Sequence, residues 1–146
     1  GAPPRAYFMW PQSPLDTAGR ASAAHELLAL AGAQNVCTAA VEHVVARIED
    51  VIAWRPEIIV MWPSALTPAK LAELPGWRAV PAVRTGRVHA LPSPFWCDLW
   101  TLKYIYAARV VAAWCRPEPE PTASDEGELR RIMTDLYGPR AEKWFP

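Results

Sequence analysis

The stretch EIIVMW at residues 57–62 decides the fold, because five consecutive apolar residues follow a single glutamate there. A strand that is apolar at every position is typical of a parallel sheet covered on both faces. A second run, RAYFMW at residues 5–10, is rich in aromatic residues and bounded by prolines, which also predicts a strand. The two runs therefore indicate a sheet that is buried between layers of helices.

Helical patterns and turn signals surround these two strands. Strands that alternate with helices pair in parallel through right-handed crossovers. The predicted fold class is therefore α/β: a three-layer sandwich around a small, mainly parallel, Rossmann-like sheet of about four strands. The last helix is expected to begin at a capping box formed by Asp125 and Glu128. The predicted helices are 24–31, 48–55, 68–74, 98–114 and 125–137, the shorter strands are 36–37 and 87–91, and loops cover 11–20 and 116–124.

Length, charge and cysteine content narrow the possible classes of protein. The 146 residues suffice for one domain with one core, and 15 basic residues balance 15 acidic ones, so a non-specific nucleic-acid binder is disfavoured. No apolar stretch approaches about eighteen residues, and the N-terminus lacks a signal-peptide pattern. The chain as given is therefore expected neither to span a membrane nor to direct its own export. Three scattered cysteines predict free thiols rather than a disulfide or zinc framework.

The sequence lacks the common catalytic and cofactor-binding motifs. It has no G-x-G-x-x-G and no G-x-x-x-x-G-K-[ST] loop, and none of its serines lies in a nucleophile-elbow context. The histidines have no partners at the spacing that metal sites favour. His25 and His89 are expected to be structural or solvent-facing, whereas His43 lies in a loop on the predicted binding rim and is a candidate ligand contact. We therefore predict a protein that is not an enzyme, with no catalytic residues, no metal ligands and no cofactor.

Aromatic residues mark the edge of the sheet where a ligand is expected. Ligands of open parallel sheets bind outside the carboxyl ends of the strands. Three of the four predicted strands end at large aromatic residues. Such a rigid rim suits an organic ligand or an apolar contact between domains, although packing inside a core explains each single ring equally well. These candidates are Trp10, Trp62, Phe95 and Trp96.

Arg20 is a further candidate, for an anionic ligand. It follows Gly19 at the mouth of the first predicted helix, where backbone N–H groups and a guanidinium together can hold an anion. A solvated arginine is the plainer alternative.

Three phrases, in this order along the chain, point to a known family. They are HELLALAGAQNV at 25–36, IEDVIAWRPEIIVM at 48–61 and GWRAVPAVRTGRVHALP at 76–92. Together they resemble the C-terminal lobe of metal-chelate-type periplasmic binding proteins, the substrate-binding components of ABC importers for iron-siderophores, haem, cobalamin and, in some branches, molybdate or tungstate. The resemblance covers about residues 5–138. It implies that residues 1–146 are one lobe, and that the N-terminal lobe and the connecting helix of a two-lobed protein are absent from this chain.

The resemblance also implies partners and a location. Family members hold a small metal chelate or oxyanion in the cleft between their lobes and deliver it to an ABC permease, outside the cytoplasm, either in the periplasm or lipid-anchored at the cell surface. The loops at 41–43 and 95–96 match places that contact ligand in siderophore binders. Glu73, on the helix after the third strand, is the candidate for permease docking. Arg47 departs from the family pattern, which often has a serine before the second helix.

Two other classes of protein compete with this interpretation. Related two-lobed α/β architectures bind metal clusters and tetrapyrroles in chelatase- and nitrogenase-like enzymes or assembly factors, and fold does not fix function. Such a protein needs cysteine or histidine ligands at the cleft, where the sequence offers His43 and Cys97. A free-standing flavodoxin-like module lacks its phosphate loop here. The choice of ligand also stays open, because the aromatic residues favour an organic chelate whereas Arg20 and His43 suit an oxyanion.

Overall fold

The computed structural model describes residues 1–118 and 126–146. Its elements are β1 (Arg5–Met9), β2 (Asp16–Ala18), α1 (Ala23–Leu30), β3 (Gln34–Asn35), β4 (His43–Val45), α2 (Ile48–Trp54), β5 (Ile58–Met61), α3 (Pro68–Glu73), α4 (Pro81–Arg84), β6 (Val88–Ala90), α5 (Tyr104–Cys115) and α6 (Glu126–Tyr137), with 3-10 turns at Trp77–Ala79 and Pro139–Trp144. Four of these strands form one parallel sheet in the order β3-β1-β5-β6, and β2 and β4 form a small antiparallel ribbon. This arrangement confirms the predicted α/β class with a four-stranded parallel sheet.

The two central strands bury both of their faces. Phe8 of β1 and Val60 of β5 belong to a core shared with α1, α5 and α6. Tyr7 and Ile59 point the other way, into a second core that includes residues of α2 and α3. Alternate residues of a strand face opposite sides of a sheet, so these two cores are the two interfaces of a three-layer sandwich. No helix among the described residues is both long and apolar enough to cross a membrane.

The helix boundaries follow from local capping chemistry. The side chain of Ser22 accepts a hydrogen bond from the backbone N–H of Ala24 at the start of α1, and Thr67 does the same for Lys70 at the start of α3. At the start of α2, the carboxylate of Asp50 accepts hydrogen bonds from both the backbone and the guanidinium of Arg47. These bonds lower the pKa of Asp50. The carboxylate at the third helical position therefore bonds the backbone N–H of the N-cap residue, which is one half of a capping box.

The ribbon β2-β4 was not expected from the sequence. The segment 11–20 was predicted to be a loop, and so was the region of His43, yet His43 lies in β4 opposite Ala18 of β2. Strands of three residues are too short to show a hydrophobic period, which explains the error. The short second strand also lies two residues earlier than predicted, at Gln34–Asn35.

The longest predicted helix starts later than expected. Helix α5 begins at Tyr104 rather than at Asp98. In the preceding turns, the carboxylate of Asp98 accepts from the backbone N–H of Trp100 at 2.9 Å, and the hydroxyl of Thr101 accepts from that of Lys103 at 3.3 Å. Such local side-chain bonds compete with helix formation. The predicted capping residue Asp125 and most of the predicted connector 116–124 lie outside the described residues.

The three cysteines are free thiols in the structure. Cys37 and Cys97 are buried and Cys115 is partly buried. Burial raises the pKa of Cys97 to about 12 and also raises the pKa of Cys115. Both of these thiols are therefore protonated near neutral pH.

A half-buried histidine makes the stability of the fold depend on pH. The ring of His89 in β6 stacks on Trp114 of α5 at a centroid distance of 4.8 Å, and its Nε2 atom is buried without a hydrogen-bond partner among the described residues. Burial, with the nearby charge of Arg87, lowers the pKa of His89 below its ordinary 6.5. The unfolded chain therefore takes up this proton at a higher pH than the folded chain does. It follows that the free energy of unfolding falls as the pH decreases below about 6.5.

We expect the variant His89→Phe to lose part of this pH dependence, because phenylalanine keeps an aromatic stack on Trp114 and cannot be protonated. Urea unfolding of both proteins at neutral pH and at about pH 5 checks this. The decrease in the free energy of unfolding between the two conditions should be smaller for the variant. Equal decreases would mean that other groups carry the pH dependence.

Candidate functional site

Two tryptophans meet where the central strands end. Trp10 directly follows β1 and Trp62 directly follows β5, and the parallel register pairs Met9 with Met61. The backbone N–H of Trp62 donates to the carbonyl of Met9 at 2.8 Å. The two indole rings consequently lie 5.7 Å apart, centroid to centroid. Both residues were predicted to lie at the carboxyl edge of the sheet, and the structure places them there side by side.

Trp100 completes this group, which we call the indole cluster (Trp10, Trp62 and Trp100). Its ring stacks on that of Trp10 at 6.3 Å with an interplanar angle of 21° and meets the ring of Trp62 edge-on at 6.0 Å. Trp10 and Trp62 are partly buried against the core, whereas Trp100 is 65% exposed. The indole cluster therefore presents one large ring to solvent on a support of two fixed rings.

Phe95 and Trp96 belong to a different group. They pack against each other at 4.6 Å, and Trp96 stacks on Phe145 at 5.0 Å with its ring nearly parallel. Trp144 lies 6.0 Å from Phe95. We call these four residues the terminal aromatic cluster. The aromatic rim expected from the sequence is thus divided into two clusters of contacting rings, because the chain end packs against residues 95 and 96.

A lysine lies over the terminal aromatic cluster. The Nζ atom of Lys103 is 3.7 Å from the ring centroid of Phe95, 5.3 Å from that of Trp144 and 6.0 Å from that of Trp96. An ammonium over the faces of aromatic rings is attracted by their negative quadrupole. The segment from Phe95 to Lys103 therefore joins the two clusters and carries a fixed positive charge at its end.

The surroundings of Arg20 differ from the expected anion site. The backbone N–H groups of residues 19, 20 and 21 donate to the carbonyls of Glu42, Ala39 and Val41 at 3.1, 2.8 and 3.2 Å. These donors are therefore used within the fold, where they extend the ribbon β2-β4. The guanidinium of Arg20 stays exposed beside a cavity of about 310 Å³ that His25 and Cys37 also line.

His43 also has a partner within the fold. Its Nε2 atom lies 3.3 Å from a carboxylate oxygen of Asp16, which is largely buried, whereas the imidazole itself is half exposed. Asp16, on the neighbouring strand of the ribbon, thus orients the imidazole of His43. Among the described residues, no ring contact or hydrogen bond joins His43 to the indole cluster. Its role as a ligand contact remains a prediction.

Glu73 is exposed at the last position of α3. It follows β5, which is the third of the strands predicted from the sequence, and its carboxylate is accessible to a partner. Its role in docking remains a prediction. Among residues 1–118 and 126–146, no group of three or more histidine, cysteine or acidic side chains is arranged to hold a metal ion.

Three residues of these clusters, and the lysine beside them, were not among the site residues predicted from the sequence. Trp100 and Lys103 were assigned to a helix, and Trp144 and Phe145 lie beyond the last predicted element. A signal was present for the first of them, since the run PFWCDLW at 94–100 has three large aromatic residues in seven positions. The sequence WFP at 144–146 was the corresponding signal at the chain end.

Comparison with known proteins agrees with the predicted α/β fold and with the expectation that this chain has the size of one lobe. Neither a protein-family model nor a curated protein sequence matches this chain significantly. Solved structures do match. A periplasmic solute-binding protein from Veillonella parvula has a TM-score of 0.77 and 19% identity over 94% of this chain and 44% of its own.

Two further solved proteins have named ligands. A periplasmic haem-binding protein from Pseudomonas aeruginosa has a TM-score of 0.68 and 21% identity, over 82% of this chain and 45% of its own. A molybdate periplasmic binding protein of a Haemophilus influenzae ABC transporter, solved with molybdate bound, has a TM-score of 0.66 and 18% identity, over 97% of this chain and 42% of its own. This chain therefore has the fold found in periplasmic binding proteins and spans less than half the length of each, which confirms, at the level of the fold, the resemblance seen in the sequence.

Proposed function

We propose that this chain is the C-terminal lobe of an extracytoplasmic binding protein that captures a small organic metal chelate and delivers it to an ABC importer. One observation carries the proposal: a lobe that aligns over 94% of its length with 44% of a periplasmic solute-binding protein has an exposed tryptophan at the carboxyl edge of its sheet. That edge is where open α/β sheets bind ligands. The aromatic clusters supply the binding surface, and no catalytic step is required.

The local chemistry favours an organic chelate over a bare oxyanion. Trp100 offers a ring face to a flat or aromatic ligand, and the haem-binding protein from Pseudomonas aeruginosa shows that this fold accommodates such a molecule. An oxyanion needs several converging donors, yet the backbone donors around Arg20 are already used. Molybdate, the ligand of the Haemophilus protein, is the second candidate, and Arg20 with His43 would have to bind it.

The partners follow from this role. A second lobe closes over the ligand, and an ABC permease receives it, with Glu73 as the docking residue on this lobe. The location is extracytoplasmic, in keeping with the periplasmic proteins that share the fold. For a chelatase- or nitrogenase-like enzyme the described residues offer little support, because Cys97 is fully buried with a raised pKa and is therefore a poor metal ligand.

The test compares the product of the complete gene with the 146-residue chain. After purification, an absorption spectrum and metal analysis of the complete protein identify any retained ligand, and calorimetry follows with haemin, with an iron(III) tris-catecholate complex and with molybdate. We expect one of the organic chelates to bind the complete protein at about micromolar strength or better. The chain alone should bind it about a thousandfold more weakly, because one lobe supplies only part of the contacts and must still immobilise the whole ligand.

Three results would contradict the proposal in different ways. Sub-micromolar binding by the 146-residue chain alone would place the site within one lobe and rule out a cleft between two lobes. Tight binding of molybdate without either organic chelate would overturn the ligand class. A complete gene product without a second α/β lobe, and without affinity for any of the three probes, would overturn the function itself.

A further inference from the structure

Lys103 has no acidic partner in the part of the chain that the structure describes. Among the described residues no carboxylate lies within ion-pair distance of its ammonium, whereas Arg47, Arg109 and Arg130 each have one. Its ammonium lies over the aromatic faces of Phe95, Trp96 and Trp144. Ring faces attract the charge but offer weak acceptors to the three N–H groups of an ammonium. Strong hydrogen-bonding capacity is therefore left over at this position.

Lys103 and the exposed ring of Trp100 lie on one short segment of chain. Lys103 lies three residues after Trp100, on the segment whose turns are closed by the side chains of Asp98 and Thr101. The carboxylate of Asp98 is occupied by the backbone N–H of Trp100, so it supports the turn rather than neutralising the lysine. A stacking surface and an unpaired cation thus belong to one short, locally braced segment.

We infer that Lys103 binds a negatively charged group on the rim of a ligand whose flat face rests on Trp100. The substrate class is then an aromatic or macrocyclic chelate with anionic substituents, such as carboxylates. This inference rests on the proposed function and makes it more specific. The terminal aromatic cluster acts as a positioning device, since it fixes the ammonium by contact with three rings and leaves its hydrogen bonds for the ligand.

The test uses two water-soluble porphyrins with the same flat ring and opposite peripheral charge, a tetrasulfonated tetraphenylporphyrin and a tetracationic N-methylpyridyl porphyrin. Binding to the complete gene product, in which the ligand is expected to bind at about micromolar strength, is followed by quenching of tryptophan fluorescence. We expect the sulfonated porphyrin to bind more tightly than the cationic one. Lys103→Met should weaken the sulfonated porphyrin about tenfold and leave the cationic one unchanged or slightly tighter, because hydrogen bonds to charged groups contribute on that scale.

Two variants control for charge and geometry. Lys103→Arg keeps a cation over the rings and should retain most of the preference for the sulfonated probe. Lys70→Met removes the same charge from an exposed position on α3 and should change neither affinity. If Lys103→Met proves incompletely folded by circular dichroism, Lys103→Gln repeats the measurement with a more polar side chain.

The outcomes separate this inference from the proposed function. If Lys103→Met keeps the preference, or if Lys70→Met lowers it equally, Lys103 does not bind the anionic group. The proposed function then still stands, provided that Trp100→Ala weakens both porphyrins. If Trp100→Ala weakens neither, or if the wild-type complete protein binds neither porphyrin at about micromolar concentration, the ligand class and the role of Lys103 are both wrong.

Discussion

Trp100→Ala is expected to lower the affinity for a planar chelate by about 1–3 kcal/mol, that is, by about one to two orders of magnitude. The ring of Trp100 is the solvent-exposed member of the indole cluster, supported by Trp10 and Trp62 at 6.3 and 6.0 Å. Its removal takes away the stacking face. The fold should lose little, because 65% of the residue is already in water.

Leu102→Ala is the matched control for this experiment. Leu102 is 51% exposed and lies two positions further along the same segment. The tetrasulfonated porphyrin and thermal unfolding serve for both variants. We expect the leucine variant to bind like the wild type and both variants to unfold within a few degrees of it. Equal weakening by the two substitutions would mean that the segment as a whole, and not the indole, determines affinity.

Gly19→Ala is expected to destabilise the protein by about 3 kcal/mol. A Cβ atom at this position would overlap the carbonyl oxygen of Val41 and lie 2.8 Å from that of Ala39. Both obstacles are backbone atoms, which cannot move aside as the end of a flexible side chain can. The two segments must therefore separate, and the hydrogen bonds that join residues 19–21 to residues 39–42 are weakened or lost.

Amide hydrogen exchange and urea unfolding check this expectation. In Gly19→Ala the amides of residues 19–21 should exchange faster, while those of β1 and β5 change only as much as global stability does. Gly32→Ala is the control: its φ of +85° disfavours alanine by about 1–2 kcal/mol, but open space surrounds it. A Gly19→Ala protein as stable as Gly32→Ala, with normal exchange at residues 19–21, would contradict the close approach seen in the structure.

The sheet was predictable because its central strands satisfy several requirements at once. EIIVMW is apolar at every position, and a strand buried on both faces needs that composition. Helices α1 and α3 begin after Ser22 and Thr67, whose hydroxyls cap the first turn through local hydrogen bonds. In contrast, β2 and β4 are held by pairing with each other across 27 residues of chain, which no local pattern encodes.

The candidate site was predictable only in part, for a related reason. Trp10 and Trp62 follow strands, so the strand prediction also located them. The position of Trp100 depends on the turn closed by the side chain of Asp98. The apolar spacing of the sequence is helical through this turn as well, so the sequence predicted a helix there. The separation of Phe95 and Trp96 from Trp62 depends on residues 144 and 145, which return from the other end of the chain. Contacts of that range require the folded structure.

The lengths of the outer strands bear on how the folded chain avoids self-association. A long free strand edge is a template for pairing with another molecule, and apolar β-rich segments such as EIIVMW are the usual nuclei of fibrils. Here β5 lies inside the sheet with both edges paired, while the outermost strands have only two residues (β3) and three residues (β6). The segment EIIVMW therefore has no free edge in the folded chain, and the sheet edges that remain free are short templates for pairing.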